Sequence, residues 1–216
     1  MAHCLDAFFL RSVQRWDRLR LLRRRARFPG LAIDPQASSN LAAARFVMEP
    51  GAELCIGPGV VTERVAGALR FVLEAGARVE IGAGTWLCTD LAPVCIRAFA
   101  GARIVIGAGS FLNGCHVSAK REVALGRRCF VGPQVRIFDA DQHDLDAERS
   151  ERIAPVRIGD YVWLASSALV LRGVTIGDHS IVGAMSLVTR DLPPHSLAYG
   201  QPAQPRGAVG DRSQAR

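Results

Sequence analysis

The residues with the clearest chemical potential lie in the segment 136–152, RIFDADQHDLDAERSER, where one histidine stands among six carboxylates. A neutral imidazole can take a proton from a hydroxyl at pH 7, which contributes about 10² to 10⁴ in rate. A neighbouring carboxylate can orient the ring and stabilise the imidazolium that forms. His143 is therefore the candidate general base, and Asp139, Asp141 and Asp144 are the candidate orienting groups. A solvated loop histidine is the alternative.

Other reactive side chains are weaker candidates. His116 could reach the same cleft, whereas His179 and His195 are expected at the surface. The six cysteines form no C-x-x-C pair and show no zinc spacing, so we expect reduced packing thiols and no metal. A nucleophilic role for Cys115 or Cys129 is disfavoured because neither has a base beside it in the sequence.

The His143 segment interrupts a regular repeat. Similar segments begin 25 residues apart at Gly51, Gly76 and Gly101, and an aliphatic residue, usually followed by glycine, recurs every six positions. This period predicts short strands joined by tight turns in which glycine adopts a positive φ. Three six-residue units would form one triangular coil of a parallel β-helix, and stacked coils would bury an aliphatic ladder. The ladder positions are Ile56, Ile81, Leu87, Ile106, Leu112, Leu125, Val131, Ile137, Ile158, Leu164, Val170, Ile176, Val182 and Val188.

Two parts of the repeat pattern remain open at this stage. The extra seven residues of each 25-residue repeat fall in ALRFVLE (68–74) and PVCIRAF (93–99). They either widen one side of the coil or loop outward. The pattern predicts a repeat domain over 31–205, after a basic amphipathic helix within 1–30 and before a disordered tail over 206–216.

The net charge of +7 is concentrated at one end, because residues 1–28 hold eight arginines against two aspartates and so supply +6. The remainder is nearly neutral, which argues against nucleic-acid binding. Residues 5–27 are expected to form the helix, ended by Pro29 and Gly30. Its predicted apolar face consists of Leu5, Phe9, Val13, Trp16 and Leu19. This helix either docks on the repeat domain or a neighbouring subunit, or contacts an anionic membrane surface. Without a membrane span or secretory pattern, a cytoplasmic location is expected.

The segment IGDYVWLASSALVLRGVTIGDHSIVGAMSLVTRDLPPHSLAYGQPA, which begins at Ile158, resembles the signature of the left-handed β-helix hexapeptide acyltransferases. The likeness is strongest to the maltose, galactoside and colanic-acid type of sugar O-acetyltransferase, and runs from about residue 100 to 203. The combination of hexapeptides is specific, although any single one is weak. The resemblance implies an all-β fold, a left-handed parallel β-helix of hexapeptide repeats after a short N-terminal amphipathic helix. It also implies a homotrimer with acetyl-CoA bound between neighbouring β-helices.

The resemblance also assigns residues. His143 matches the family's catalytic histidine, which lies on a loop interrupting the coils, and Asn113 matches a position that contacts the acceptor. Asp141 and Asp144 join Asn113 as substrate-binding candidates. The positions lining the coenzyme groove are Trp163, Ser166, Ala184, Thr189 and Arg190. Arg172 and Arg190 are candidate partners for the coenzyme phosphates. Gln204 and Ala165 depart from the family pattern, and Gln204, which replaces a basic residue, leaves one phosphate contact in doubt.

The predicted function is an acetyl-CoA-dependent O-acetyltransferase in polysaccharide biosynthesis. It would transfer acetyl directly to a hydroxyl of a sugar or glycan precursor, with no acyl-enzyme and no metal. An N-acyltransferase of a nucleotide-linked amino sugar and a non-catalytic β-helix scaffold remain as alternatives. A serine acetyltransferase is disfavoured because the N-terminal helix is too short to be that enzyme's helical domain.

Overall fold

The structure is a computed structural model that describes residues 2–214, with side chains described from residue 10 onwards. It begins with helix α1 (Ala2–Arg27), and a 3-10 helix at Ser39–Ala43 lies between the first two strands. The strands are β1 (Leu31–Ile33), β2 (Arg45–Met48), β3 (Glu53–Ile56), β4 (Val61–Thr62), β5 (Leu69–Leu73), β6 (Arg78–Ile81), β7 (Trp86–Cys88), β8 (Val94–Ala98), β9 (Arg103–Ile106), β10 (Phe111–Asn113), β11 (His116–Ala119), β12 (Glu122–Leu125), β13 (Phe130–Val131), β14 (Arg136–Phe138), β15 (Val156–Ile158), β16 (Trp163–Leu164), β17 (Leu169–Val170), β18 (Thr175–Ile176), β19 (Ile181–Val182), β20 (Leu187–Val188), β21 (Ser196–Gly200) and β22 (Ala203–Ala208).

These strands form three sheets, which are the faces of a triangular prism. Face 1 consists of β1, β3, β6, β9, β12, β15 and β18; face 2 of β4, β7, β10, β13, β16, β19, β21 and β22; face 3 of β2, β5, β8, β11, β14, β17 and β20. The chain visits faces 1, 2 and 3 in turn, so we name the edges 1–2, 2–3 and 3–1. All pairings between coils are parallel, and β21 with β22 is antiparallel. The predicted left-handed parallel β-helix is confirmed.

The aliphatic ladder fills the interior of the prism. All fourteen predicted ladder positions are at most 4% exposed, as expected for the inward positions of stacked coils. Glu53 pairs with Arg78 and Arg157 with Thr175, so the coil shortens from 25 to 18 residues along the prism. The extra residues widen face 3, because β5 and β8 have five residues each whereas β17 and β20 have two.

The glycines that follow the ladder residues have a different cause from the one predicted. Positive φ occurs two residues later, for example at Gly84 (φ 66°) and at His179 (φ 59°). A Cβ added to Gly82 would lie 2.5 Å from the backbone nitrogen of Ala108, and one at Gly132 would lie 2.9 Å from the nitrogen of Ser166. These glycines are therefore needed because successive coils approach too closely for a side chain, and the prediction of positive φ at these positions is wrong.

Helix α1 docks on the first coil through a stripe that contains a charge. Asp17 is 1% exposed, and its carboxylate pairs with the Arg64 guanidinium at 2.7 and 3.1 Å. Leu21 is buried beside it, and Arg24 donates to the carbonyl oxygen of Ala42 at 3.1 Å. The chain therefore turns a mixed polar and apolar stripe inward, which a search for purely apolar spacing cannot detect.

The predicted apolar face of α1 is not the face that docks on the prism, where the structure describes it. Trp16 and Leu19 are 62% and 49% exposed, and Val13 is half-buried. The side chains of Leu5 and Phe9 lie outside the described residues. No helix among residues 2–214 is both long and apolar enough to cross a bilayer.

The predicted disordered tail over 206–216 is wrong for most of its length. Residues 206–208 belong to β22, and residues 209–213 run back along the 1–2 edge of the prism. There the Val209 nitrogen donates to the His195 carbonyl oxygen at 2.7 Å, and the Arg212 nitrogen donates to Nδ1 of His179 at 3.0 Å. Residues 215 and 216 lie outside the described residues.

Candidate active site

The His143 segment is an insertion at the 3–1 edge, between the end of β14 and the start of β15. Its first residue, Asp139, is fully buried. The Asp139 carboxylate accepts hydrogen bonds from the backbone N–H groups of Lys120, Arg121 and Glu122, each 2.7 Å long. These donors belong to the turn one coil earlier, so the carboxylate ties the base of the loop to the prism wall.

Three further contacts fix the loop above its base. The Lys120 ammonium lies 2.7 Å from the Glu151 carboxylate and donates to the Gln142 carbonyl oxygen at 3.3 Å. The Arg172 guanidinium lies 2.6 Å from Asp141, and this hydrogen bond holds the pKa of that carboxyl below its usual value. The loop is therefore held to the wall of the prism at four positions, Asp139, Asp141, Gln142 and Glu151.

His143 itself is exposed at the outer bend of this loop, and no hydrogen bond or ion pair joins it to another described residue. The predicted orienting carboxylates are committed elsewhere: Asp139 to the wall, Asp141 to Arg172, and Asp144 to the backbone nitrogen of Glu151 at 2.8 Å. The prediction that one of them orients the ring is therefore wrong within a single chain. The side chain is presented outward, where a ligand or another subunit can reach it.

Asn113 and His116 lie on either side of the 2–3 edge, at the end of β10 and the start of β11. Oδ1 of Asn113 and Nε2 of His116 are both buried without a hydrogen-bond partner among the described residues. The His116 ring packs edge-on against Phe138, the residue before the loop, with the ring centroids 5.3 Å apart. Burial, followed by the charges of Arg97 and Arg136, lowers the pKa of His116. Unpaired buried polar atoms are rare, so this edge can hold a ligand that supplies their partners.

The predicted coenzyme positions divide between two edges. Ser166 and Ala184 lie on the 2–3 edge one coil apart, and the Met185 nitrogen donates to the Ser166 carbonyl oxygen at 2.9 Å. Thr189 and Arg190 follow β20 and lie on the 3–1 edge, as does the His143 loop. Trp163, 42% exposed, lies on face 2.

One chain therefore does not bring all the predicted residues together. The edge with Asn113, Ser166 and Ala184 is separated from the edge with His143, Thr189 and Arg190 by the strands of face 3. A cleft lined by Arg25, Asp34 and Arg78, between α1 and face 1, contains none of them. Within one prism, the two groups of predicted residues therefore cannot surround a single ligand.

The two candidate cysteine nucleophiles, Cys115 and Cys129, are buried. Burial raises the pKa of both Cys115 and Cys129 to about 12, so neither thiol ionises near neutrality. The cysteines of the described chain are free thiols. Glu63, Cys88 and Asp90 form a cluster of possible metal ligands, with their ligand atoms within 4.8 Å of one another. The Glu63 carboxylate already accepts hydrogen bonds there, including one of 2.7 Å from Trp86 Nε1, so it serves the local turn.

An aromatic ladder on the 1–2 edge was missed from the sequence. The rings of Tyr161, His179 and His195 stack at 4.9 and 4.8 Å between centroids, and residues 209–213 lie against them. All three occupy the same left-handed turn position in successive coils. Their recurrence at one hexapeptide position was the available signal.

The bacterial transferase hexapeptide family (six repeats) matches residues 155–190, which start where the His143 loop rejoins the wall. Residues 155–190 of this chain therefore match the hexapeptide repeat. The chain is 34% identical to galactoside O-acetyltransferase of Escherichia coli over 93 residues, which are 42% of this chain and 46% of that protein. Curated relatives from Schizosaccharomyces pombe, Staphylococcus aureus and Escherichia coli are matched over 29% to 46% of their lengths. The resemblance to acetyltransferases is thus confirmed over less than half of each relative.

Solved structures share the architecture of this chain over most of its length. The polySia specific acetyltransferase NeuO aligns with a TM-score of 0.60 at 22% identity, covering 87% of this chain and 92% of that one. A hexapeptide-repeat-containing acetyltransferase of Vibrio cholerae, complexed with acetyl coenzyme A, aligns with a TM-score of 0.50 at 22% identity over 80% of this chain and 75% of that one. At these identities the likeness establishes the fold.

Proposed function

We propose that this protein is an acetyl-CoA-dependent O-acetyltransferase that acts on a hydroxyl group of a sugar or glycan precursor. The observation that carries the proposal is the His143 loop: it is anchored at four positions, leaves the imidazole exposed, and directly precedes the matched segment 155–190. A scaffold needs no such interruption of its coils. The similarity to galactoside O-acetyltransferase supports acetyl transfer and a sugar acceptor.

In the proposed reaction, the imidazole of His143 takes the proton of the acceptor hydroxyl while its oxygen attacks the thioester carbonyl carbon. The carbon–sulfur bond then breaks, and the imidazolium returns its proton to the leaving thiolate of coenzyme A. General-base catalysis of this kind contributes about 10² to 10⁴ in rate. Asn113, whose buried Oδ1 lacks a partner among the described residues, is assigned to the acceptor side of the cleft. No step in this scheme uses a metal.

The test is mass spectrometry of a panel of sugars and sugar nucleotides incubated with acetyl-CoA and the protein. With an accepted substrate, His143→Ala should lower kcat by about 10² or more while the affinity for acetyl-CoA stays nearly unchanged. Asn113→Ala should raise the acceptor KM and lower kcat. Glu148→Gln, an exposed change on the same loop, is the matched control and should retain activity.

Each alternative has a distinct outcome. Wild-type turnover by His143→Ala would refute the general-base role. Acetylation of an amino sugar nucleotide at nitrogen, with no hydroxyl product, would identify the N-acyltransferase. A protein that neither binds acetyl-CoA nor acetylates any member of the panel would be the scaffold.

We further infer a homotrimer in which the site forms between two subunits. The separation of the predicted residues onto two edges supports this, and so does an outward row of apolar side chains along face 2. Successive registers place in this row Val61, Trp86, Phe111, Phe130, Trp163, Ile181 and Leu197. Trp86 and Trp163 are 44% and 42% exposed, which is more apolar surface than a free face normally leaves open.

A mixing experiment tests the shared site. When the inactive His143→Ala and Asn113→Ala proteins are unfolded, mixed and reassembled, about a quarter of the sites should pair an intact His143 with an intact Asn113. Activity should therefore reappear in the mixture. Light scattering would verify the trimer, and mixed trimers without recovered activity would place both residues in one subunit's site.

We also propose that the outward face of α1 contacts an anionic membrane surface, while the protein acts in the cytoplasm, where acetyl-CoA is available. Exposed Trp16, Leu19 and Leu22 lie beside exposed arginines, each of which contributes about 1 kcal/mol near anionic lipid. Liposome sedimentation should show binding to anionic vesicles that falls with salt and with Arg15→Glu/Arg18→Glu. Equal recovery with neutral vesicles would show that the face has another partner.

A further inference from the structure

Residues 203–213 place one arginine at the proposed coenzyme surface. After β21 the chain reverses into β22, and then follows the 1–2 edge back along several coils. It is held by the Val209 N–H bond to the His195 carbonyl oxygen and by the Arg212 N–H bond to His179 Nδ1. Arg128, a coil further on, donates from Nη1 to the Ser213 carbonyl oxygen at 3.3 Å. The position of Arg212 is therefore fixed by successive coils of the prism.

The Arg212 side chain lies over the indole of Trp163, with Cζ 5.6 Å from the ring centroid. Its Nε donates to the Tyr161 carbonyl oxygen at 3.1 Å, which fixes the plane of the guanidinium. Aromatic stacking and one hydrogen bond together hold the guanidinium, and its Nη1 and Nη2 make no hydrogen bond to another described residue. Trp163 is the face 2 residue that the family resemblance places in the coenzyme groove.

The charge of Arg212 is not neutralised within the described chain. No carboxylate of residues 10–214 pairs with it, and burial alone lowers its pKa. The adjacent carboxylate, Asp211, is turned to His179 at 3.3 Å and to the Ser213 nitrogen at 2.7 Å. The guanidinium is only partly buried, so an anion from solution can reach it and pair with its charge.

We propose that Arg212 binds a phosphate group of the acyl-coenzyme A donor, with Arg128 beside it as a second cation. This assignment rests on the proposed function, in which acetyl-CoA is the donor, and on the resemblance that places Trp163 in the coenzyme groove. A guanidinium presents two parallel N–H donors that match two phosphate oxygens, and coenzyme A carries both a diphosphate and a 3′-phosphate. The side chain already lies ordered on the indole, so little conformational freedom is lost when the anion binds.

Calorimetric titration of the full chain with coenzyme A tests this assignment. Arg212→Gln keeps a side-chain donor for the Tyr161 carbonyl oxygen but removes the charge, and should weaken coenzyme A binding about tenfold or more. Arg206→Gln is the matched control: it removes the same charge from an exposed position of the preceding strand and should change the affinity less than twofold. Arg212→Lys should recover part of the affinity.

Titration with 3′-dephospho-coenzyme A distinguishes the two phosphates. If Arg212 holds the 3′-phosphate, wild type and Arg212→Gln will bind this analogue equally; if it holds the diphosphate, the tenfold difference will persist. Hydrogen exchange at the amides of Val209 and Arg212 reports whether residues 209–213 stay docked in the variant. The assignment would be overturned if Arg212→Gln lost the protection of these amides and Arg212→Lys did not recover the affinity for coenzyme A. Arg212 would then be a purely structural contact.

The remaining outcomes separate this assignment from the function on which it rests. If wild type and Arg212→Gln bound coenzyme A equally tightly, the role of Arg212 would be overturned and the acetyltransferase proposal would stand. Wild type that binds no coenzyme A would overturn both.

Discussion

Asp139→Asn should loosen the His143 loop at its base although the side chain keeps its shape. The Asp139 carboxylate is fully buried: Oδ1 accepts the Lys120 N–H, and Oδ2 accepts the N–H groups of Arg121 and Glu122. In the variant, the amide oxygen can retain the two bonds at the Oδ2 position. The NH₂ group then faces the Lys120 N–H, so two donors meet.

The expected loss follows from these contacts. One bond to a charged acceptor disappears, worth about 1.5 to 3 kcal/mol, and the two that remain lose their charge-assisted strength. Together these effects should lower the free energy of unfolding by about 2 to 4 kcal/mol. Because Asp139 holds the loop and contacts no ligand in the proposed site, kcat should fall while the affinity for acetyl-CoA is retained.

Urea denaturation and hydrogen exchange at the Lys120 and Arg121 amides measure the two parts of this prediction. Asp144→Asn, in the same loop, is the matched control, because Asp144 is exposed and accepts one backbone bond from Glu151. It should change the free energy of unfolding by only about 0.5 kcal/mol. If Asp139→Asn behaved like this control, with the exchange of both amides unchanged, the anchoring role would be refuted.

Three further changes have defined outcomes. Gly82→Ala should lower the free energy of unfolding by about 1 to 3 kcal/mol, because the added Cβ would meet the backbone of the next coil. Gly210 has open space around it, so Gly210→Ala should leave the free energy of unfolding unchanged in denaturant titrations. Alkylation at pH 8 followed by mass spectrometry should label exposed Cys55 in the folded protein and Cys115, with its pKa of about 12, only after unfolding. Since the folded pKa of Asp141 is lowered, its ion pair with Arg172 stabilises the loop above the unfolded pKa of about 4. The protection factors of the loop amides, which correct each exchange rate for the intrinsic rate at that pH, should therefore fall as the pH falls below that value; unchanged protection factors would argue against this anchor.

The six-residue period was sufficient to predict the architecture. Every predicted ladder position is buried, because the period records one inward side chain per face and depends little on the rest of the sequence. The same period could not explain its glycines. The contact between Gly82 and the backbone at Ala108 depends on how closely the coils stack, which only the three-dimensional structure contains.

The loop chemistry was less predictable than its position. The interruption of the repeat located His143, and the density of carboxylates suggested an orienting partner for it. The structure gives those carboxylates to partners far away in sequence, such as Lys120 for Asp139 and Arg172 for Asp141. The Asp17–Arg64 pair under α1 was hidden for the same reason. Long-range pairing between charges leaves no periodic signal along the chain.

The closing hairpin of β21 and β22 also has a consequence for how copies of this protein can meet. A stack of parallel coils exposes a row of unpaired strand edges at each end, the geometry through which cross-β fibres grow by adding chain to chain. Here the outermost strand of face 2 runs in the opposite direction to the strands before it, so it cannot template another parallel coil. At the opposite end, α1 lies over the first coil, where Arg24 bonds to the Ala42 carbonyl oxygen. The hairpin therefore closes face 2 against the addition of another parallel strand, and α1 covers the opposite end of the prism.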